Sequence, residues 1–386
     1  MSPSPGDGDI DANPGDEPRI AHVEGIELPS EDVELPDIRA VSLLERLVYL
    51  ILGLGLFVTA LGLMKAGAQS LIPALQGSIF IDNALSTLGL GWLGACIVLS
   101  GSPVAASSLT LLDGGAITRD QAFTMLTGSR LGAAFVVLVV GVIYALRRQG
   151  SSRKAPVSIG ILSLFMTMVT YVPGAIVGYV LLRRGTFDGF DIGTSPSLTS
   201  ATETMFGWSV DLAEDVFPGW MLFPVGLAIL LVGFQLIDKV MPSFGSEQLE
   251  NRPSAWYTKK WPMFLVGLGV TLLTLSVAVS LTLLVPLVAK GHLRRANTLP
   301  YIAGANITTL ADTLVAAILL GNQDAVRVVT AVTVSVTIWT LVLIGPGYSL
   351  VRRLALGATR RVLESRSRLA WFVVGLFAAP LALIAV

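Results

Sequence analysis

Apolar runs of roughly 18 residues or more recur along most of this chain, and that is the length at which a helix can cross a bilayer. One α-helix of this kind covers about 30 Å of hydrocarbon. The blocks cover residues 42–66, 86–112, 121–146, 156–182, 219–240, 262–289, 297–320, 326–346 and 369–386. They are continuous rather than alternating, which argues against a transmembrane β-barrel. Only 14% of the residues are charged, against about 25% in a soluble domain. The expected fold class is an all-α polytopic membrane protein, multi-pass in the plasma membrane, with the lipid bilayer as its surroundings.

The residue types exclude much else. A single cysteine, Cys96, rules out an internal disulfide and a multi-cysteine metal site. The two histidines, His22 and His292, lie far apart. There is no HExxH, GxSxG or phosphate-loop lysine motif, and no credible nucleophile–base pair, so no enzyme and no cofactor is expected. No exposed basic domain suggests nucleic acid. Residues 1–40 hold eleven Asp and Glu against two Arg. Residues 1–41 are therefore read as a disordered acidic tail on the cytoplasmic side, and it lacks the features of a signal peptide.

Basic residues choose the topology. If all nine blocks cross from a cytoplasmic N-terminus, the basic stretch at 147–154 and Arg252, Lys259 and Lys260 fall outside. If 86–112 and 262–289 instead turn back as re-entrant hairpins, sixteen basic residues in 147–154, 241–261, 290–295 and 352–368 fall inside. The acidic link 183–218 then falls outside. Seven spans, two hairpins and an external C-terminus result. The first half begins inside and the second begins outside, so the halves are expected to be inverted-topology repeats, as in many secondary transporters. The expected division is a tail 1–41, repeat 1 over 42–182, an extracellular linker 183–218, repeat 2 over 219–346, and a basic cytoplasmic loop with the final span over 347–386. Aligning Gly128 with Gly304 gives five identities across 100–133 against 276–309. "SLTLL" at 108–112 and 280–284 implies a register four residues different.

Polar residues inside these blocks need a reason. In hydrocarbon, broken helices survive only where they face protein or a wet cavity. "LSGSPVAASSLT" (99–110) combines Ser100, Gly101, Ser102 and Pro103, and a break at Gly101–Pro103 would present helix N-terminal N–H groups to an anion. Its counterpart, 273–286, contains Ser276 and no glycine. Small residues and hydroxyls also serve close helix packing. Charges at mid-bilayer cost ~3 kcal/mol or more, which singles out Arg130 in "GSRLG" and Asp312 in "GANITTLADT" (304–313). The two are candidates for a structural salt bridge, an anion clamp, or a cation- or proton-carrying carboxylate. Amide and hydroxyl oxygens of Asn306, Thr308 and Thr309 together with Asp312 make a candidate Na⁺ site.

"GANITT" after an apolar hairpin resembles the "GANIGTT" element of the type II sodium–phosphate cotransporter family, and the order of features is similar across 42–346. The resemblance implies inverted repeats, each with a hairpin carrying a QSSS motif that takes part in phosphate and Na⁺ binding. Here the two motifs read "LSGS" (99–102) and "LSVA" (275–278), and the first repeat's glycine-rich helix start reads "GSRLG", with Arg130 in place of Asn. The implied function is Na⁺-coupled symport of phosphate or a related small anion by alternating access. The substrate residues would be Ser100, Gly101, Ser102, Arg130 and Ser276, and the cation residues Asn306, Thr308, Thr309 and Asp312. The alternatives are a proton-coupled carrier or channel for another small anion, and a membrane scaffold that kept the fold without transport.

Overall fold

The computed structural model describes residues 43–147, 154–189, 196–240, 259–291 and 293–386. The acidic tail 1–41, much of the basic stretches 147–154 and 241–261, and both histidines lie outside the described residues. Every regular element within them is an α-helix. In chain order these are α1 (Leu43–Leu75), α2 (Ala84–Val98), α3 (Ser102–Asp113), α4 (Arg119–Ala133), α5 (Phe135–Arg147), α6 (Lys154–Arg183), α7 (Pro196–Val216) and α8 (Gly219–Val240). They continue with α9 (Lys260–Thr274), α10 (Val277–Thr282), α11 (Leu284–Ala289), α12 (Arg295–Thr308), α13 (Ala311–Leu319), α14 (Gln323–Ile344), α15 (Tyr348–Leu363) and α16 (Arg366–Ile384).

Seven helical rods are long and apolar enough to span: α1, α4–α5, α6, α8, α12–α13, α14 and α16. These are the seven expected from sequence, and the chain is an all-α polytopic membrane protein. The two blocks read as hairpins form only shorter apolar helices. Each is interrupted at a leucine in the left-handed region, Leu99 (φ 58°) and Leu275 (φ 47°). That conformation costs a side-chain-bearing residue about 1–2 kcal/mol, so tertiary packing holds both turns. The first break lies at Leu99–Gly101 rather than at Gly101–Pro103. Pro103 instead occupies the first turn of α3, where its missing N–H has no helix partner to lose.

Both ends of the α2–α3 pair reach one rim of the bundle. Gln121 Nε2 donates to Ile81 O at 2.6 Å just before α2. Asp113, which ends α3, accepts from Asn322 Nδ2 at 2.8 Å and pairs with Lys65 at 2.9 Å. Arg119, opening α4, pairs at the same rim with Asp188 (3.0 Å) and Asp324 (2.6 Å). The start of α4 therefore lies beside the link between α13 and α14. The start of α9 and the start of α12, which flank the α9–α11 segment, are tied at the other end of α14 and the start of α15. Lys260 Nζ donates to Gly345 O at 3.0 Å, and Tyr348 OH to Ala296 O at 3.3 Å.

The two broken segments pack alike. A Cβ on Gly91 would stand 2.0 Å from Met125 O, and one on Gly128 2.1 Å from Leu88 O. The same crossing recurs between α9 and α12, where a Cβ on Gly267 would stand 2.1 Å from Tyr301 O and one on Gly304 2.2 Å from Phe264 O. Only a residue without Cβ lets two helix backbones approach that closely. One constant offset along the chain, that from Gly128 to Gly304, carries each position of the first crossing onto its partner in the second. The same offset relates Leu99 to Leu275, and the left-handed Gly115 to Gly291. The "SLTLL" coincidence is not reflected in the backbone.

Two segments read as connections are helical. Within 183–218, α7 lays Phe206, Ser209 and Val210 against Gly55, Thr59 and Gly62 of α1. The contacts recur at i, i+3/i+4 spacing, a stripe diluted by Asp211, Glu214 and Asp215. The basic loop after 347 contains α15, which buries Val351, Ala355 and Thr359 on one face.

Candidate functional site

Arg130 lies eleven residues into α4, about 16 Å along the axis from the Arg119 rim. Asp312 lies a similar distance from the Asn322 end of α13. Both side chains are almost fully buried, with 1% and 5% of their surface exposed. They sit well inside helical rods long and apolar enough to span a membrane, and a charge buried there is unstable without a partner.

The chain breaks at this depth. Leu310 N–H bonds to Ile307 O at 3.3 Å, which ends α12 and leaves the Asn306 carbonyl available. Tyr171 OH donates to that carbonyl at 2.6 Å, and Thr167 Oγ1 donates to Asn306 Oδ1 at 3.3 Å. The rod α4–α5 breaks at the matching place, Ala134, which the Gly128–Gly304 register sets opposite Leu310.

The charged groups meet through threonines. Arg130 Nη1 donates to Thr309 Oγ1 at 3.1 Å, and Nη2 donates to Thr313 Oγ1. The Thr313 hydroxyl in turn donates to Asp312 Oδ1 at 2.9 Å, and its backbone N–H donates to the same oxygen at 2.6 Å. The direct Arg130 Nη2–Asp312 Oδ1 distance is 3.6 Å, so the hydroxyl mediates the pair. Three polar atoms of the cluster, Arg130 Nε, Asn306 Nδ2 and Asp312 Oδ2, are buried without a hydrogen-bond partner. A buried unpaired group costs about 1–3 kcal/mol. Three in one place mark either a binding pocket or filling by water.

The fold brings Arg130, Asn306, Thr309 and Asp312 together. Gly101 reaches the same level: a Cβ there would stand 2.9 Å from both Ser129 O and Ala133 Cβ, on either side of Arg130 in α4. Ser100 and Ser102 flank it, half-buried. The helix α13, which carries Asp312 and Thr313, packs on α3 and α14. Two expected residues have their hydrogen bonds elsewhere. Thr308 Oγ1 donates to Leu268 O at 3.1 Å, pinning α12 to α9, and Ser276 Oγ accepts from Val279 N at 3.3 Å as the cap of α10.

Sequence reasoning overlooked α6. Its Ser163, Thr167, Thr170 and Tyr171 are all buried, and the hydroxyls of Ser163 and Thr170 have no partner. Their spacing of four, three and one places them on one helical face. "SLFMTMVTY" (163–171) carried that signal inside an otherwise apolar span. Among the described residues no group of His, Cys, Asp and Glu could hold a transition metal.

The model of the Na+/Pi-cotransporter family matches residues 229–379. The match runs from within α8 into α16 and contains Asn306 and Asp312. It leaves Arg130 and the first broken segment outside. No curated protein and no solved structure matches this chain. Over those residues the family match bears out the resemblance to sodium–phosphate cotransporters, and with the seven apolar helices it supports a multi-pass membrane transporter.

Proposed function

With that family match as premise, we propose that this chain is a secondary transporter for Na⁺ and phosphate or a related small anion, working by alternating access. The observation that carries the reading is the buried cluster of Arg130, Asn306 and Asp312, each with an unpaired polar atom, at matching breaks in two helical rods. The equal crossings at one constant offset, with their ends tied to opposite rims, support inverted repeats with re-entrant hairpins. The proposed division remains repeat 1 over 42–182 and repeat 2 over 219–346, in a plasma membrane with the N-terminus inside.

In this reading the guanidinium of Arg130 receives the anion, because its planar fork matches phosphate oxygens two at a time. The N-terminus of α3, with Gly101, Ser102 and Ser100, adds backbone and hydroxyl donors. Oxygens of Asp312, Asn306 and Thr309, with the carbonyls freed between α12 and α13, hold Na⁺, as unwound helix ends do in other transporters. Ser276 and Thr308 then act by shaping the second break rather than by contact. Cation and anion bind as neighbours, so each lowers the cost of the other's charge, which is the basis of coupling.

Uptake of labelled phosphate into proteoliposomes tests the reading. An inward Na⁺ gradient should drive accumulation, and Asp312→Asn should remove the Na⁺ dependence. Absence of uptake for phosphate, arsenate and sulfate alike would remove the substrate claim. The Thr313 bridge also suits a structural lock, as in a scaffold. A pH-dependent flux indifferent to Na⁺ would instead indicate a proton-coupled carrier.

A further inference from the structure

A second feature lies away from the polar cluster. The helices α2, α6, α15 and α16 leave a groove of about 330 Å³ between them. Its walls are almost wholly apolar and include Trp92, Ile161, Phe165, Met168, Trp371 and Phe372. Along α6 it runs from Ile161 to Val169, about 12 Å of helix. One end lies at Trp92 and Leu376, within the bundle. The other lies at Ala358, Val362 and the exposed Trp371, where α15 turns into α16.

That outer end is strongly basic. Residues 348–368 hold six arginines and one acidic residue, Glu364, which pairs with Arg368. Arg360 and Arg361 are exposed and have no ion-pair partner among the described residues. Arg361 directly precedes Val362 of the groove, and Arg368 is one turn before Trp371. The helix α15 has its arginines on the exposed side and Val351, Ala355 and Thr359 buried, the form of a helix lying in a membrane interface.

We propose that this groove is a binding site for an anionic phospholipid, with one acyl chain between α6 and α16 and the phosphate headgroup on Arg361 and Arg368, which helical spacing sets on the groove side of α15 and α16. Apolar walls suit hydrocarbon and reject a polar peptide. Arginines beside the mouth distinguish an anionic headgroup from a zwitterionic one by charge. The site rests on apolar lining and charge alone, so it stands whether or not the chain transports phosphate.

The purified full-length chain in detergent would be titrated with phosphatidylglycerol, phosphatidylcholine or tail-less glycerol 3-phosphate. Bound lipid would be read by native mass spectrometry and stability by melting. Phosphatidylglycerol should be retained and raise the melting temperature, phosphatidylcholine should bind at least tenfold more weakly, and glycerol 3-phosphate should do nothing. Changing Arg361 and Arg368 to Gln should weaken phosphatidylglycerol on the order of fivefold per arginine and leave phosphatidylcholine unchanged. Gly375→Leu should weaken both lipids, because a Cβ at Gly375 meets nothing within 4 Å and the new side chain would fill the groove. Equal binding of the two lipids, retention undiminished in both variants, or a glycerol 3-phosphate effect as large as that of phosphatidylglycerol would each overturn the proposal.

Discussion

The α2–α4 region and the α9–α12 region share a backbone and differ in chemistry. Both have a helix interrupted at a left-handed leucine, and both cross a following helix through two glycines in contact with carbonyl oxygens. At the centre, however, Arg130 stands in the first where Asn306 stands in the second. The glycines fix how close two helices come, and any side chain there would collide. The next residues along face the interior and are free to differ. In the proposed reading, two regions of like backbone supply one cationic and one neutral, oxygen-rich wall of the binding site.

The largest expected effect tests that asymmetry. Arg130→Met would leave Asp312 buried without its charge partner, at a cost of about 3–5 kcal/mol, and abolish uptake. The double variant Arg130→Met with Asp312→Leu should regain most of the stability and none of the transport. Recovery of both would reduce the pair to a structural lock. Asn306→Ala, at the equivalent position, should cost about 1 kcal/mol, and detergent melting compares the two. Equal losses would break the proposed difference between the walls.

Next come the shared glycines. Gly128→Leu and Gly304→Leu should each destabilise by about 3 kcal/mol through overpacking, and by similar amounts if the crossings are equivalent. Gly269→Ala is the control, since a Cβ there meets nothing within 4 Å. A large loss in only one of the crossing variants would show that the two regions carry unequal strain.

Smaller effects separate anion from cation. Arg130→Lys keeps the charge and loses the fork, and should raise the apparent Km for phosphate about tenfold. Asn306→Ala should raise the Na⁺ concentration for half-maximal uptake and change the phosphate Km much less. A shift in the opposite parameter for either variant would reverse the assignment of the walls. The smallest effect belongs to the partly exposed rim. Asp324→Asn loosens its pairing with Arg119 and Arg327 and should cost only about 0.5 kcal/mol, less in high salt. A much larger loss in melting would mean that the rim, rather than the buried cluster, holds the two regions together.

Part of this architecture could be read from the chain alone. The seven spans follow from nine apolar runs, because a bilayer imposes their length directly and the distribution of basic residues sets two of them aside as not crossing. Arg130 and Asp312 were visible because charge is rare and expensive in hydrocarbon. The helix α7 was hidden because its acidic residues made a packed stripe look like a polar connection. The α6 hydroxyls were hidden because Ser and Thr inside a span usually bond to their own helix. The repeat register was ambiguous because five identities compete poorly with a chance "SLTLL" match.

What the sequence by itself determined is the number of spans, which two apolar blocks do not run as one crossing helix, and which charges need partners. All three depend on local composition against a fixed solvent. Only the tertiary structure decided that Thr313 stands between Arg130 and Asp312, that Tyr171 takes the Asn306 carbonyl, and that Thr308 and Ser276 bond elsewhere. Those outcomes depend on the rotation and depth of helices far apart in the chain, which close backbone approach at a few glycines sets, and no local pattern encodes them.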